Sequence, residues 1–86
     1  MAFLGTNGVT AEHGLTTPDP DEAAVKRALI ASARRVVALA DASKFGVETA
    51  VRFAAAGEID VLVTDSDVSS ADRRALTKAG VEVVVA

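Results

Sequence analysis

Three short stretches of this chain are apolar from end to end, and they limit its fold more than any other feature. They are Val36-Val37-Ala38-Leu39-Ala40, Val61-Leu62-Val63 and Val83-Val84-Val85. A strand with one wet face alternates apolar and polar residues. A strand of a parallel sheet covered on both faces reads as a continuous β-branched run. We therefore read strands at 35–40, 59–64 and 81–86, with a shorter one at 2–4 that Gly5 ends.

Helix signals fall between them. Asp19-Pro20-Asp21-Glu22 combines a capping residue, a proline suited to the first helical position and a glutamate at the capping-box position. Val25, Ala28, Leu29 and Ser32 then form one packing stripe, with Lys26, Arg27 and Arg34 largely off it. A second helix starts at Ser69 or Ser70 and ends before Gly80. Residues 45–57 fit either a strand or a short helix, and a short strand followed by one helical turn is the preferred reading. The segment between the first strand and the first helix reads as a long loop. The order predicts an α/β fold: a mostly parallel sheet of about four strands, right-handed crossovers and flanking helices.

Of the 43 apolar residues, 18 are Ala and 13 are Val, while Leu, Ile and Phe together supply 11. Small side chains bury little area each, so an isolated monomer is expected to be marginally stable. Nine basic residues against twelve acidic ones give a net charge of −3, which argues against a nucleic-acid surface. With no cysteine, disulfides, thiolate metal sites and cysteine nucleophiles are excluded. No apolar run reaches membrane-spanning length and no signal peptide is visible, so a cytoplasmic protein is expected.

In an open parallel sheet, ligands bind beyond the carboxyl ends of the strands. The polar residues there are Gly5, Thr6, Asn7 and Gly8, then Asp41, Ser43 and Lys44, then Thr64, Asp65 and Ser66. Lys44 is the cation nearest that rim and favours an anionic ligand. Duller readings stand beside these. Asn7-Gly8 is a turn dipeptide, Lys44 can pair with Asp41 on the surface, and Asp65-Ser66-Asp67 reads as a solvated loop. His13 has no second histidine or cysteine for a metal. Phosphate loops, dinucleotide fingerprints, nucleophile elbows and paired glycosidase carboxylates are all missing, and neither metal nor cofactor is expected.

Five segments carry a resemblance: Phe3-Leu4-Gly5-Thr6-Asn7-Gly8, Gly14-Leu15-Thr16-Thr17-Pro18, Glu22-Ala23-Ala24-Val25-Lys26-Arg27, Ala40-Asp41-Ala42-Ser43-Lys44-Phe45-Gly46 and Val63-Thr64-Asp65. Across essentially all 86 residues the chain resembles the C-terminal half of DeoR-family bacterial transcriptional regulators. The resemblance implies an effector-sensing domain with a partial ribose-5-phosphate isomerase/CoA-transferase-like (Rossmann-like) fold. It also implies a phosphorylated sugar or related metabolite as ligand; apolar sheet edges and helix-packing surface left without neighbouring strands predict a homo-oligomer, formed by exchanging or pairing strands between chains. Family members begin with a DNA-binding winged helix and a Thr-rich phosphate loop. The chain is therefore expected to be one partial sensor domain, 1–86, that binds neither operator DNA nor membrane by itself.

Likeness to the isomerases bears on chemistry. Their two acidic positions fall on Leu4 and Asn7, and their catalytic glutamate falls on Lys26. Lys44 keeps the lysine of a matching Ala-Asp-x-Ser-Lys segment. A protonated lysine cannot take a proton from a sugar carbon, so the resemblance implies ligand binding without turnover. The expected ligand residues are Asn7, Lys26 and Lys44, with Asp41 orienting and Gly5 and Gly8 supplying backbone. A degenerate phosphosugar isomerase using Asp41 or Asp65 as base is the alternative, and a purely structural role is a third reading.

Overall fold

The computed structural model describes all 86 residues. In chain order the elements are β1 (Ala2–Gly5), β2 (Gly8–Thr10), β3 (Gly14–Thr17), α1 (Pro20–Ser32), β4 (Val36–Leu39), β5 (Val51–Ala54), β6 (Val61–Thr64), α2 (Ser70–Lys78) and β7 (Glu82–Val85). Four of them make a parallel sheet in the order β1-β4-β6-β7. The expected α/β architecture, with two flanking helices, is what the chain adopts. No helix is long and apolar enough to cross a membrane.

The register fixes which side chains face the core. Leu4, Ala38, Leu62 and Val83 lie level across the four strands. All four belong to one buried cluster with Ile30 of α1, Leu76 of α2, and Leu15 and Phe53 of a second sheet. Every crossover moves the same way across the sheet, so right-handed connections put both helices on one side. The side chains on the other side, among them Phe3, Val37, Leu39, Val61 and Val63, are absent from that cluster. Continuous apolar runs predicted cover on both faces; on this second face Val37 and Val61 are buried, while Phe3 and Leu39 are exposed.

The second sheet is antiparallel, in the order β2-β3-β5. The stretch read as a long loop thus contains a hairpin. Its strands are only three and four residues long, too short for a periodic signal. Gly14 closes the hairpin with φ +81, and a Cβ there would sit 2.0 Å from the Ala54 carbonyl oxygen. The ambiguous segment resolves as preferred: β5, then a single 3-10 turn at Ala56–Glu58.

Helix α1 starts as expected. Asp19 caps it, with its Oδ1 accepting from the N–H groups of Asp21 (2.9 Å) and Glu22 (3.4 Å). Two details differ. Glu22 pairs with Lys26 at 2.8 Å, four residues along the helix. The buried residues are Ala23 and Ile30, while Val25 and Leu29 of the expected stripe are 61% and 46% exposed. The helix turns this way because Lys26 and Arg27 reach across the packed face to the carbonyls of Gly5 and Phe53.

Alanine at Gly14 combines a left-handed backbone with a collision against the Ala54 carbonyl. Gly14→Ala is expected to cost more than the roughly 1–2 kcal/mol of the conformation alone. Gly57→Ala, whose Cβ would meet Ala79 at an ordinary 3.5 Å, serves as the mild comparison. Urea denaturation of both variants checks the order; equal midpoints would refute it.

Candidate functional site

Parallel pairing brings the carboxyl ends of all four strands to one edge, since Gly5, Leu39, Val63 and Val84 share a level. Three connections leave from that edge, and side-chain oxygens hold them in place. Asp65 accepts the Ala42 N–H (3.2 Å) and the Asp67 N–H (2.9 Å), tying the loop after β4 to the loop after β6. Asp41 caps the 3-10 turn Ala42–Lys44 by accepting the Ser43 N–H at 3.0 Å, and it also takes the Ser43 hydroxyl. The Thr6 hydroxyl lies 2.9 Å from the Gly8 carbonyl and 3.1 Å from that of Thr16. Thr16 Oγ1 accepts the Thr49 N–H at 3.0 Å.

The expected ligand residues divide into two groups on this edge. Gly5 and Lys26 touch directly: the Lys26 ammonium donates to the Gly5 carbonyl at 2.7 Å and to Glu22 at 2.8 Å. It also stands 5.0 Å from the centre of the Phe53 ring, and its side chain is only 13% exposed. A lysine has three donors, so one remains free. Asn7 is exposed; its backbone N–H donates to the Thr16 carbonyl at 3.1 Å. Gly8 is buried, because the Val47 carbonyl passes within 2.2 Å of where a Cβ would lie.

Asp41 and Lys44 form the second group, beyond β4. The Gly46 N–H donates to the Val9 carbonyl at 2.9 Å, which lays the chain after Lys44 along β2 just past Gly8. Lys44 makes no ion pair, contrary to the duller surface-pair reading. The Ser43 hydroxyl holds the Asp41 carboxyl below its ordinary value, and the Lys44 charge adds to this. These residues make an open rim: none of Asn7, Lys26, Asp41 or Lys44 lines a concavity. A groove of about 230 Å³ lies between the β2-β3 hairpin and α2, lined in part by His13, Phe45 and Asp72. His13 itself contacts Glu48 at 3.2 Å.

Residues 1–66 match the family model described as the DeoR C terminal sensor domain. The chain belongs to that family. It is 44% identical over 84 residues to the HTH-type transcriptional regulator GlpR of Haloferax volcanii, covering 98% of this chain and 33% of that protein. It is 39% identical over 84 residues to the HTH-type transcriptional repressor GlcR of Bacillus subtilis, covering 98% of this chain and 32% of that protein. The identity to the uncharacterized HTH-type transcriptional regulator FruR of Bacillus subtilis is 48% over 66 residues, 77% of this chain and 26% of that protein. This DeoR-type sensor domain thus spans about a third of the length of the relatives it matches along almost its whole length.

One feature of this sensor domain had no sequence signal. Arg27 grips Glu58, 31 residues away, through two hydrogen bonds of 2.8 and 2.6 Å, and also donates to the Phe53 carbonyl at 3.1 Å. Glu58 in turn accepts the Ala55 N–H at 2.9 Å. The latch clamps α1 to β5 and so helps fix the helix that carries Lys26. The Glu22–Lys26 pair, by contrast, has the i,i+4 spacing that a sequence displays openly.

The Arg27 hydrogen bonds, followed by that of Ala55, hold Glu58 below its ordinary value. During acidification the unfolded chain therefore binds its proton at Glu58 before the folded chain does. The stability that Glu58 contributes is whole above the ordinary glutamate range and is lost as pH falls through the lower, folded value. Glu58→Gln is expected to melt below the parent near neutrality, with the gap closing in acid. Parallel melting curves that keep a constant gap at every pH would contradict this.

Proposed function

We propose that this chain is the effector-sensing and oligomerisation module of a DeoR-type repressor, and that its effector is a phosphorylated sugar or polyol. The phosphate would sit over the rim at the strand ends. Lys26 and Lys44 would supply positive charge, Asn7 a side-chain amide, and Gly5 and Gly8 close backbone. Asp41 would order the turn that presents Lys44. The observation that carries this reading is Lys26: its side chain is mostly buried, and its ammonium is anchored by two partners at the end of β1 with one donor left over. An ammonium favours an anion, and a site with two lysines favours a phosphate ester over a neutral sugar. The name of a further relative, the glycerol-3-phosphate regulon repressor of Escherichia coli, 32% identical over 66 residues, agrees with a small phosphate ester.

Binding without turnover is part of the proposal. The isomerase alternative needs a free carboxylate base, and only Asp41 and Asp65 are near the rim. Asp65 spends both oxygens on backbone N–H groups; Asp41 holds Ser43 through one oxygen, Oδ1, and is acidified. A carboxylate held below its ordinary value is a poorer base. In a full-length regulator of this type, effector binding would favour one of two domain arrangements and thereby change operator affinity. DNA contact would fall to the helix-turn-helix part that the relatives' names record, and the protein would work in the cytoplasm.

Thermal melts with glycerol 3-phosphate and glucose 6-phosphate test the reading, with inorganic phosphate as the bare-anion control. A ligand at one hundred times its Kd adds about 2.7 kcal/mol. For a domain of this size that is a rise of more than about 10 °C. Lys44→Ala should melt at the same temperature as the parent without ligand and lose most of the ligand-induced rise. No rise with either ester, or an undiminished rise in Lys44→Ala, would overturn the proposal.

A further inference from the structure

The charges at the strand ends cancel: Lys26 and Lys44 stand there with Asp41 and Asp65. A further charge reaches Lys26 from the helix. Glu22, in the first turn of α1, lies 2.8 Å from the Lys26 ammonium through Oε1. It tips this edge to a negative balance, a poor place for a bare anion. The two aspartates serve the backbone of their loops: Asp65 accepts from Ala42 and Asp67, and Asp41 from Ser43. Glu22 has no such duty, since Asp19 caps the helix. Its side chain is 48% exposed, and an i,i+4 pair of that kind adds little to folding.

We propose that Glu22 sets the specificity of this site: it repels a bare phosphate from Lys26 and accepts a hydrogen bond from a hydroxyl of the effector's carbon chain. The proposal rests on the reading of the rim as an effector site given above, and it narrows the effector to phosphate esters that carry a hydroxyl close to the ester. A phosphate oxygen on the remaining Lys26 donor stands about 4.5 Å from the Glu22 oxygen, the spacing of two acceptors on one tetrahedral ammonium. Two anions at that distance repel. A ligand hydroxyl offsets the repulsion by donating to the carboxylate, and hydrogen bonds to a charged acceptor are the stronger kind. An ester without the hydroxyl brings the repulsion and returns nothing, and a site built to bind a hydroxyl discriminates against its absence.

Amide-shift titrations of the ¹⁵N-labelled chain and of Glu22→Gln test this, with glycerol 3-phosphate, n-propyl phosphate and inorganic phosphate as probes. n-Propyl phosphate keeps the charge and the carbon chain of glycerol 3-phosphate and lacks its hydroxyls. The parent should bind glycerol 3-phosphate about tenfold or more tighter than propyl phosphate. Glu22→Gln should melt close to the parent without ligand. It should bind propyl phosphate and inorganic phosphate about fivefold tighter than the parent does. Its preference for glycerol 3-phosphate over propyl phosphate should shrink by a similar factor.

A parent that binds neither ester would overturn the effector site, and the role of Glu22 with it. A parent that binds both esters equally would leave the site standing and overturn the specificity role alone. The same holds for a Glu22→Gln variant whose preference between the esters matches the parent's. If both affinities rise together in that variant, Glu22 is a competing counter-ion only; if neither moves, it has no part in binding.

Discussion

The whole candidate rim depends on the in-register parallel ladder through β1, β4, β6 and β7. Parallel strands end on the same edge, so the loops after Gly5, Leu39 and Thr64 emerge side by side. The sheet alone would leave those loops free to wander. Lys26 is the link that joins α1 to this edge, by donating to the Gly5 carbonyl. Glu22 and the Phe53 ring hold the ammonium from the other sides. A lysine so placed serves at once as a packing element and as a fixed positive charge.

Short polar side chains do the remaining positioning. Asp19, Asp41, Asp60 and Asp65 all accept backbone N–H groups, and Thr6 and Thr16 serve the backbone from buried positions. Loops tied down this way present charge at fixed points without a deep cavity. Asp65 spends both carboxylate oxygens on backbone N–H groups, whereas Lys26 keeps one donor beyond its two partners.

The long elements were legible in the sequence because their signals are strong and local. The β-branched runs fixed three of the four parallel strands, and Asp19-Pro20 and Ser69 marked the starts of both helices. The β2-β3 hairpin was hidden because Gly8, Gly14 and three threonines look like a polar loop until a third strand pairs with them. The packing face of α1 was misread because Val25 and Leu29 are apolar, whereas the helix is turned by the reach of Lys26 and Arg27. The Arg27–Glu58 latch joins residues far apart in the chain, and no local pattern announces such a pair. The apolar runs signalled cover on both faces, whereas the core cluster takes in the side chains of only one, because both helices and the second sheet pack there. For the site, the rim residues could be named from strand ends alone. Which of them carry free donors could not, since that depends on hydrogen bonds from distant loops.

The most direct test of the binding rim is a titration of the ¹⁵N-labelled chain with glycerol 3-phosphate, followed by amide chemical shifts. The rim account predicts the largest changes at Gly5, Thr6, Asn7 and Gly8 and across Asp41 to Lys44, with α2 nearly silent. Changes confined to the groove beside His13 and Asp72, or no changes at all, would contradict it.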